Sequence, residues 1–163
     1  MKKYTHVSIG LAIIAAMTSL PRSAAADALV IKSVAEIESS TPGRAHLPGK
    51  LLSADRVRPG DHLIYTLEVR NAGATELVSP LVTNAVPEHM RYVAGSAVGP
   101  GAEVFFSADG GRTFDRAENL KVTGAGGRLR SALAADYTHI QWHLKNSLKA
   151  NSVAFVRFRA VVK

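Results

Sequence analysis

Apolar and polar residues alternate along much of this chain, and the alternation predicts strands. Leu63, Tyr65, Leu67 and Val69 fall on one side, with His62, Thr66, Glu68 and Arg70 on the other. That is the period-two signature of a half-buried strand. Arg58-Pro59-Gly60-Asp61 stands before it and Asn71-Ala72-Gly73 after it. Pro59 presets one turn angle and Gly60 permits the other, so both flanks read as turns. Residues 137–144 repeat the pattern, with Ile140, Trp142 and Leu144 opposite His139, Gln141 and His143. So do residues 152–162, where Ala154, Val156, Phe158, Ala160 and Val162 face inward and Arg157 and Arg159 outward.

Shorter runs fill the intervals. Residues 28–38, 50–54, 90–94, 103–107 and 112–114 read as strands. Residues 77–84 read as another, and Pro80 marks it as an edge or a bulge because proline cannot donate to a ladder. Asp109-Gly110-Gly111 predicts a hairpin turn, and residues 39–49, 95–101 and 124–127 predict loops. About eight to ten strands separated by turn signals point to an all-β antiparallel sandwich. The predicted core is Leu63, Tyr65, Leu67, Val69, Ile140, Trp142, Leu144, Val156 and Phe158.

One segment departs from this pattern. Lys2 and Lys3 precede an apolar run at 7–20, then Pro21-Arg22-Ser23 and Ala24-Ala25-Ala26. A positive head, a short apolar stretch and a small-residue cleavage site make a secretory signal peptide over residues 1–26. A membrane-spanning helix needs about 20 apolar residues, more than this run supplies. Residues 27–163 then form a single β-sandwich domain, exported to the periplasm, the cell surface or the medium, with no stable membrane span after cleavage. Without Lys2, Lys3 and Arg22 the formal net charge falls by three, from +7 to +4. The remaining basic residues are scattered and aromatics make up only 6% of the chain, so a nucleic-acid groove is not expected. Cysteine is absent, so the core must hold the exported fold without disulfides.

The turn blocks resemble a known family. Arg58-Pro59-Gly60-Asp61, Tyr65-Thr66, Val69-Arg70-Asn71-Ala72-Gly73 and residues 86–96 are similar to the bacterial conserved repeat domain of unknown function called the DUF-eleven family. Residues 107–114 and 136–142 resemble patterns of its exported single-domain members, and the likeness spans roughly residues 50–163. The resemblance implies an immunoglobulin-like sandwich of the envelope or cell surface and carries no catalytic residues.

Several motifs invite chemistry. Ser107-Ala108-Asp109-Gly110-Gly111-Arg112-Thr113-Phe114 fits the Asp-box of sialidase propellers, but a propeller needs several four-stranded blades. The box therefore reads as a hairpin brace built on Ser107, Asp109, Gly110 and Gly111, as Pro59, Gly60, Asp61, Asn71 and Gly73 read as structural turn residues. On a strand, His139 and His143 lie about 13 Å apart, too far for one zinc ion. A Lys–Asn isopeptide crosslink would require Lys32 or Lys50, Asn151 and a carboxylate buried together, while Glu68 points outward. No nucleophile elbow or phosphate loop is present. No catalytic, cofactor-binding or metal-binding residue is assigned. The chain reads as a non-enzymatic structural, adhesive or protein-interaction module. Its partner is an unidentified envelope or surface protein, reached by edge-strand pairing if the last strand lies at a sheet rim. The alternative is a polysaccharide-binding module that uses Tyr92 or Tyr137 as sugar platforms.

Overall fold

Antiparallel strands account for nearly all the regular structure. The computed structural model describes residues 28–38, 51–53 and 57–163, so residues 1–26, expected from the sequence to be a signal peptide, lie outside the described residues. Ten strands run in chain order: β1 (Leu29–Glu38), β2 (Leu51–Ser53), β3 (His62–Asn71), β4 (Leu81–Ala85), β5 (Met90–Tyr92), β6 (Ala102–Ser107), β7 (Lys121–Thr123), β8 (Leu129–Ser131), β9 (His139–Leu144) and β10 (Val153–Val162). They form a five-stranded sheet in the order β2-β1-β3-β10-β5, a three-stranded sheet β4-β9-β6, and the small hairpin β7-β8. No helix among the described residues is long and apolar enough to cross a membrane.

The period-two pattern sets which face of each strand is dry. Leu63, Leu67 and Val69 on β3 and Val156, Phe158 and Ala160 on β10 are buried and stand beside one another in the β3–β10 register. Val82, Ile140, Trp142, Leu144 and Phe106 line the dry face of the three-stranded sheet. The two dry faces meet in one core, where the Trp142 and Phe158 rings lie 6.2 Å apart and those of Tyr92 and Phe106 5.3 Å apart. Tyr65 is only half-buried, and its ring stacks on Phe158 at 4.7 Å. The backbone passes between the sheets beside Gly99, where a Cβ would lie 2.8 Å from Val156 Cγ1 and 3.2 Å from Ala102 Cβ. Only glycine lets the chain pass this close.

The turns do what their residues dictate. Asp61 N–H bonds Arg58 O at 3.0 Å, Asp61 Oδ2 accepts from Arg58 N–H at 2.7 Å, and Gly60 takes φ 91°. This closes the turn into β3. At the far end of β3, Asn71 is fully buried. Its Nδ2 donates to Thr75 O at 2.7 Å and Leu148 O at 2.9 Å, and its Oδ1 accepts from Gly73 N–H at 3.0 Å. One amide thereby ties three chain segments together.

Several details differ from the sequence expectation, two of them in strand extent. The strand expected at 77–84 begins only after Pro80, with Leu77 making an isolated bridge to Leu148. Residues 112–114 form no strand; after the Asp109-Gly110-Gly111 turn, only Asp115 pairs back, with Phe106.

Candidate functional site

The Asp-box hairpin is the densest polar cluster. Ser107 Oγ–H donates to Asp109 Oδ1 at 2.7 Å, and Thr113 Oγ1–H donates to Oδ2 at 2.6 Å. The Arg112 and Thr113 amides both donate to Oδ1 at 3.0 Å, while Ser107 Oγ accepts from Gly111 N–H at 2.9 Å. The Thr113 hydroxyl, then the Ser107 hydroxyl and the Thr113 amide, hold the Asp109 carboxyl well below the usual carboxylate range. Gly110 and Gly111 take φ 79° and 83°, which the turn needs and side chains rarely adopt. Every carboxylate oxygen is thus occupied by its own hairpin, the work of a brace.

A second carboxylate is committed in the same way. Arg130 forks onto Asp136 with Nη1–Oδ2 at 2.6 Å and Nη2–Oδ1 at 2.8 Å, and Leu133 N–H adds a bond to Oδ2 at 2.7 Å. The guanidinium, then the Leu133 amide, pulls the Asp136 carboxyl down to about 2. Because the folded value lies below the unfolded one, the bonds stabilise the β7-β8 hairpin above pH about 3.8 and are lost as the pH falls through about 2. An NMR titration of the Asp136 carboxyl is expected to show that low midpoint. In Arg130→Gln the midpoint is expected to rise toward the ordinary aspartate value; an unchanged midpoint would remove Arg130 as the cause.

The predicted histidine stripe lies on the outer face of the three-stranded sheet, half-buried rather than fully solvated. His143 Nε2 meets Gln141 Oε1 at 2.7 Å, Gln141 Nε2 donates to Thr83 Oγ1 at 3.0 Å, and the His143 ring stacks on Phe105 at 4.2 Å. Arg116 covers Phe105 at 5.8 Å, and Glu103 accepts from Lys145 at 2.9 Å and Arg116 at 3.4 Å. Among the described residues, no group of three His, Asp or Glu side chains converges as a metal site. The crosslink trio is not assembled either. Lys32 and Asn151 are both exposed, Glu68 stands opposite Lys32 on the outer face, and Lys50 lies outside the described residues.

The aromatics considered as sugar platforms are used as packing. Tyr92 is buried and its hydroxyl accepts from Ala97 N–H at 3.0 Å. Tyr137 is half-buried, with its ring stacked on Phe106 at 4.4 Å.

The sheet rims remain. Each strand residue sends its N–H and C=O to one side, and successive residues alternate sides. Arg157 exchanges both of its bonds with Val98 at 2.9 Å, on the side of β10 away from β3. The last strand is therefore an inner strand along residues 157–162, flanked by β3 and by the chain from β5 to Val98. Phe155 directs its N–H and C=O to that same side, and no backbone partner meets them among the described residues. Among the described residues the longer open rim belongs to β1, which the sequence pattern did not single out. Ile31 and Ser33 face away from β3, while β2 pairs only with residues 36–38. Val30, Ile31 and Val34 are 39%, 40% and 55% exposed there. Ile31, opposite the buried Val69, is thus partly open among the described residues, while Leu29, Ala35 and Ile37 on the same face pack against the core.

No family model, no curated protein and no solved structure matches this chain.

Proposed function

We propose that residues 27–163 form an exported, non-catalytic immunoglobulin-like β-sandwich that works by contacting another protein at the bacterial envelope or outside the cell. The observation carrying this reading is the rim of the five-stranded sheet left unpaired among the described residues, with apolar Val30, Ile31 and Val34 exposed along β1 and Phe155 48% exposed at the start of β10. Unpaired strand edges with apolar side chains are the surfaces on which an extended partner segment adds as a further strand. Two facing antiparallel sheets around a buried tryptophan suit the sandwich that the DUF-eleven resemblance implies. Lys2, Lys3, the apolar run and Ala24-Ala25-Ala26 support export. The structural engagement of Asp109, Asp136 and Glu103 supports a binding role over a catalytic one.

The test is capture in place. The chain, tagged at its C-terminus and crosslinked in living cells of its source, is expected to bring down one reproducible envelope or surface protein. Retention on the polysaccharide fraction with no protein partner would overturn the reading in favour of a carbohydrate-binding module.

A further inference from the structure

The two open rims are not equivalent. Along β1, Lys32 sits mid-rim opposite Glu68, and a lysine on an edge is a common guard against indiscriminate pairing. The start of β10 is different because a groove runs beside it. One hollow of about 340 Å³ is lined by Ile64, Gly95, Ser96 and Val98, and the next, about 440 Å³, by Val98, Gly99, Pro100 and Phe155. Val98 and Arg157 border both hollows, so the Arg157 side chain stands at their junction. The same place offers the N–H and C=O of Phe155, without a backbone partner among the described residues, at the point where the chain turns off through Gly99 toward β6.

Charge decides what fits. Arg157 makes no ion pair with a carboxylate of the described residues. Arg70 stands opposite Val153 on the same outer face, and Arg91 opposite Val161. Glu68, opposite both Phe155 and Lys32, is one carboxylate among the cations Lys32, Arg70 and Arg157 of this face. An acidic side chain complements this surface, and a basic one is repelled by it.

We propose that the groove binds an extended acidic segment of a partner protein. The segment's backbone pairs with Phe155, an apolar side chain enters the hollow of Val98, Pro100 and Phe155, and a carboxylate meets Arg157. The inference rests on the protein-contact reading above and names the surface and the chemistry of its partner. The paired stretch is short, because Asn151 at φ 59° ends the strand on one side and the Val98 bridge closes it on the other. Side-chain recognition must therefore supply the specificity, as in other strand-addition sites.

Two capped peptides test this, Val-Glu-Val-Glu-Val and its Val-Lys-Val-Lys-Val counterpart, added to the chain while amide exchange is followed by NMR. The glutamate peptide is expected to slow exchange of the Phe155 amide by roughly tenfold or more, as an edge amide gains a partner, and the lysine peptide is expected to leave it unchanged. Phe155→Pro removes that N–H without touching the β3 ladder, and in this variant the glutamate peptide is expected no longer to shift the neighbouring Val98 and Arg157 amide resonances as it does in the wild type. Should Phe155→Pro not fold, Arg157→Glu decides, since it is expected to reverse the preference toward the lysine peptide.

Equal protection by both peptides, none by either, protection at Ile31 and Ser33 instead, or a dimer that protects Phe155 without peptide would each overturn the proposal. Capture of the same protein in cells by wild type and Phe155→Pro would overturn this groove while leaving the protein-contact reading intact.

Discussion

Trp142→Ala is expected to lower the free energy of unfolding by about 3–5 kcal/mol, the range for removing a large buried aromatic. Trp142 has no exposed surface, sits at the centre of β9, and bridges the sheets through its contact with Phe158. Val82 on β4 and Val104 on β6 flank it in the same row, so the cavity would open where all three strands meet the facing sheet. A domain of this size holds only about 5–15 kcal/mol in total, so the loss is a large share of its stability. Trp142→Phe is expected to lose much less. It retains most of the apolar area and deletes an indole N–H that has no hydrogen-bond partner among the described residues, and removing an unsatisfied donor offsets part of the lost packing. Urea unfolding at constant slope measures both variants. Equal losses for Ala and Phe would show that volume at this position is not what matters.

The second large effect belongs to a polar residue. Asn71→Ala is expected to cost roughly 3 kcal/mol, because it removes three hydrogen bonds of a fully buried amide, each worth about 1 kcal/mol net. Thr75 O loses its side-chain donor and Gly73 N–H its acceptor, while Leu148 O loses one of two donors and keeps the Leu77 N–H at 3.0 Å. Gly73 has no room to adapt, since a Cβ there would lie 2.8 Å from Ala28 Cβ. Asn84→Ala is the control. Its side chain bonds only the carbonyl of Ala85, at 2.7 Å near the surface, so a change within about 0.5 kcal/mol is expected. Matching losses at both asparagines would remove the case for Asn71 as the tie between segments.

The strands legible in the sequence were those long enough to show a period. β3, β9 and β10 carry six to ten residues each, and their alternation identified the buried faces from Leu63 to Phe158. Turn chemistry was equally readable, because Gly60 and the Asp109-Gly110-Gly111 turn demand particular backbone angles. The β7-β8 hairpin was not read as paired strands. Each of its strands has three residues and one or no central apolar side chain, too few to separate a strand from a loop. Alternation also says which face is dry, never which strand lies alongside. Hence the last strand, singled out as a candidate rim for its length and apolarity, is inner along most of its course, and β1 holds the longer rim. Tyr92 illustrates the same limit: a three-residue strand gave no sign that its ring would be buried against Phe106.

Amide hydrogen exchange on the uncomplexed chain tests the open rim most directly. In β1, residues 30, 32 and 34 pair inward with β3 while 31 and 33 face out. The account predicts alternating protection, with Val30, Lys32 and Val34 exchanging slowly and Ile31, Ser33 and Phe155 at rates close to those of an unstructured chain. Uniform protection through β1 and at Phe155 would mean that the rim is already covered, and would contradict a module that offers its sheet edge to a partner.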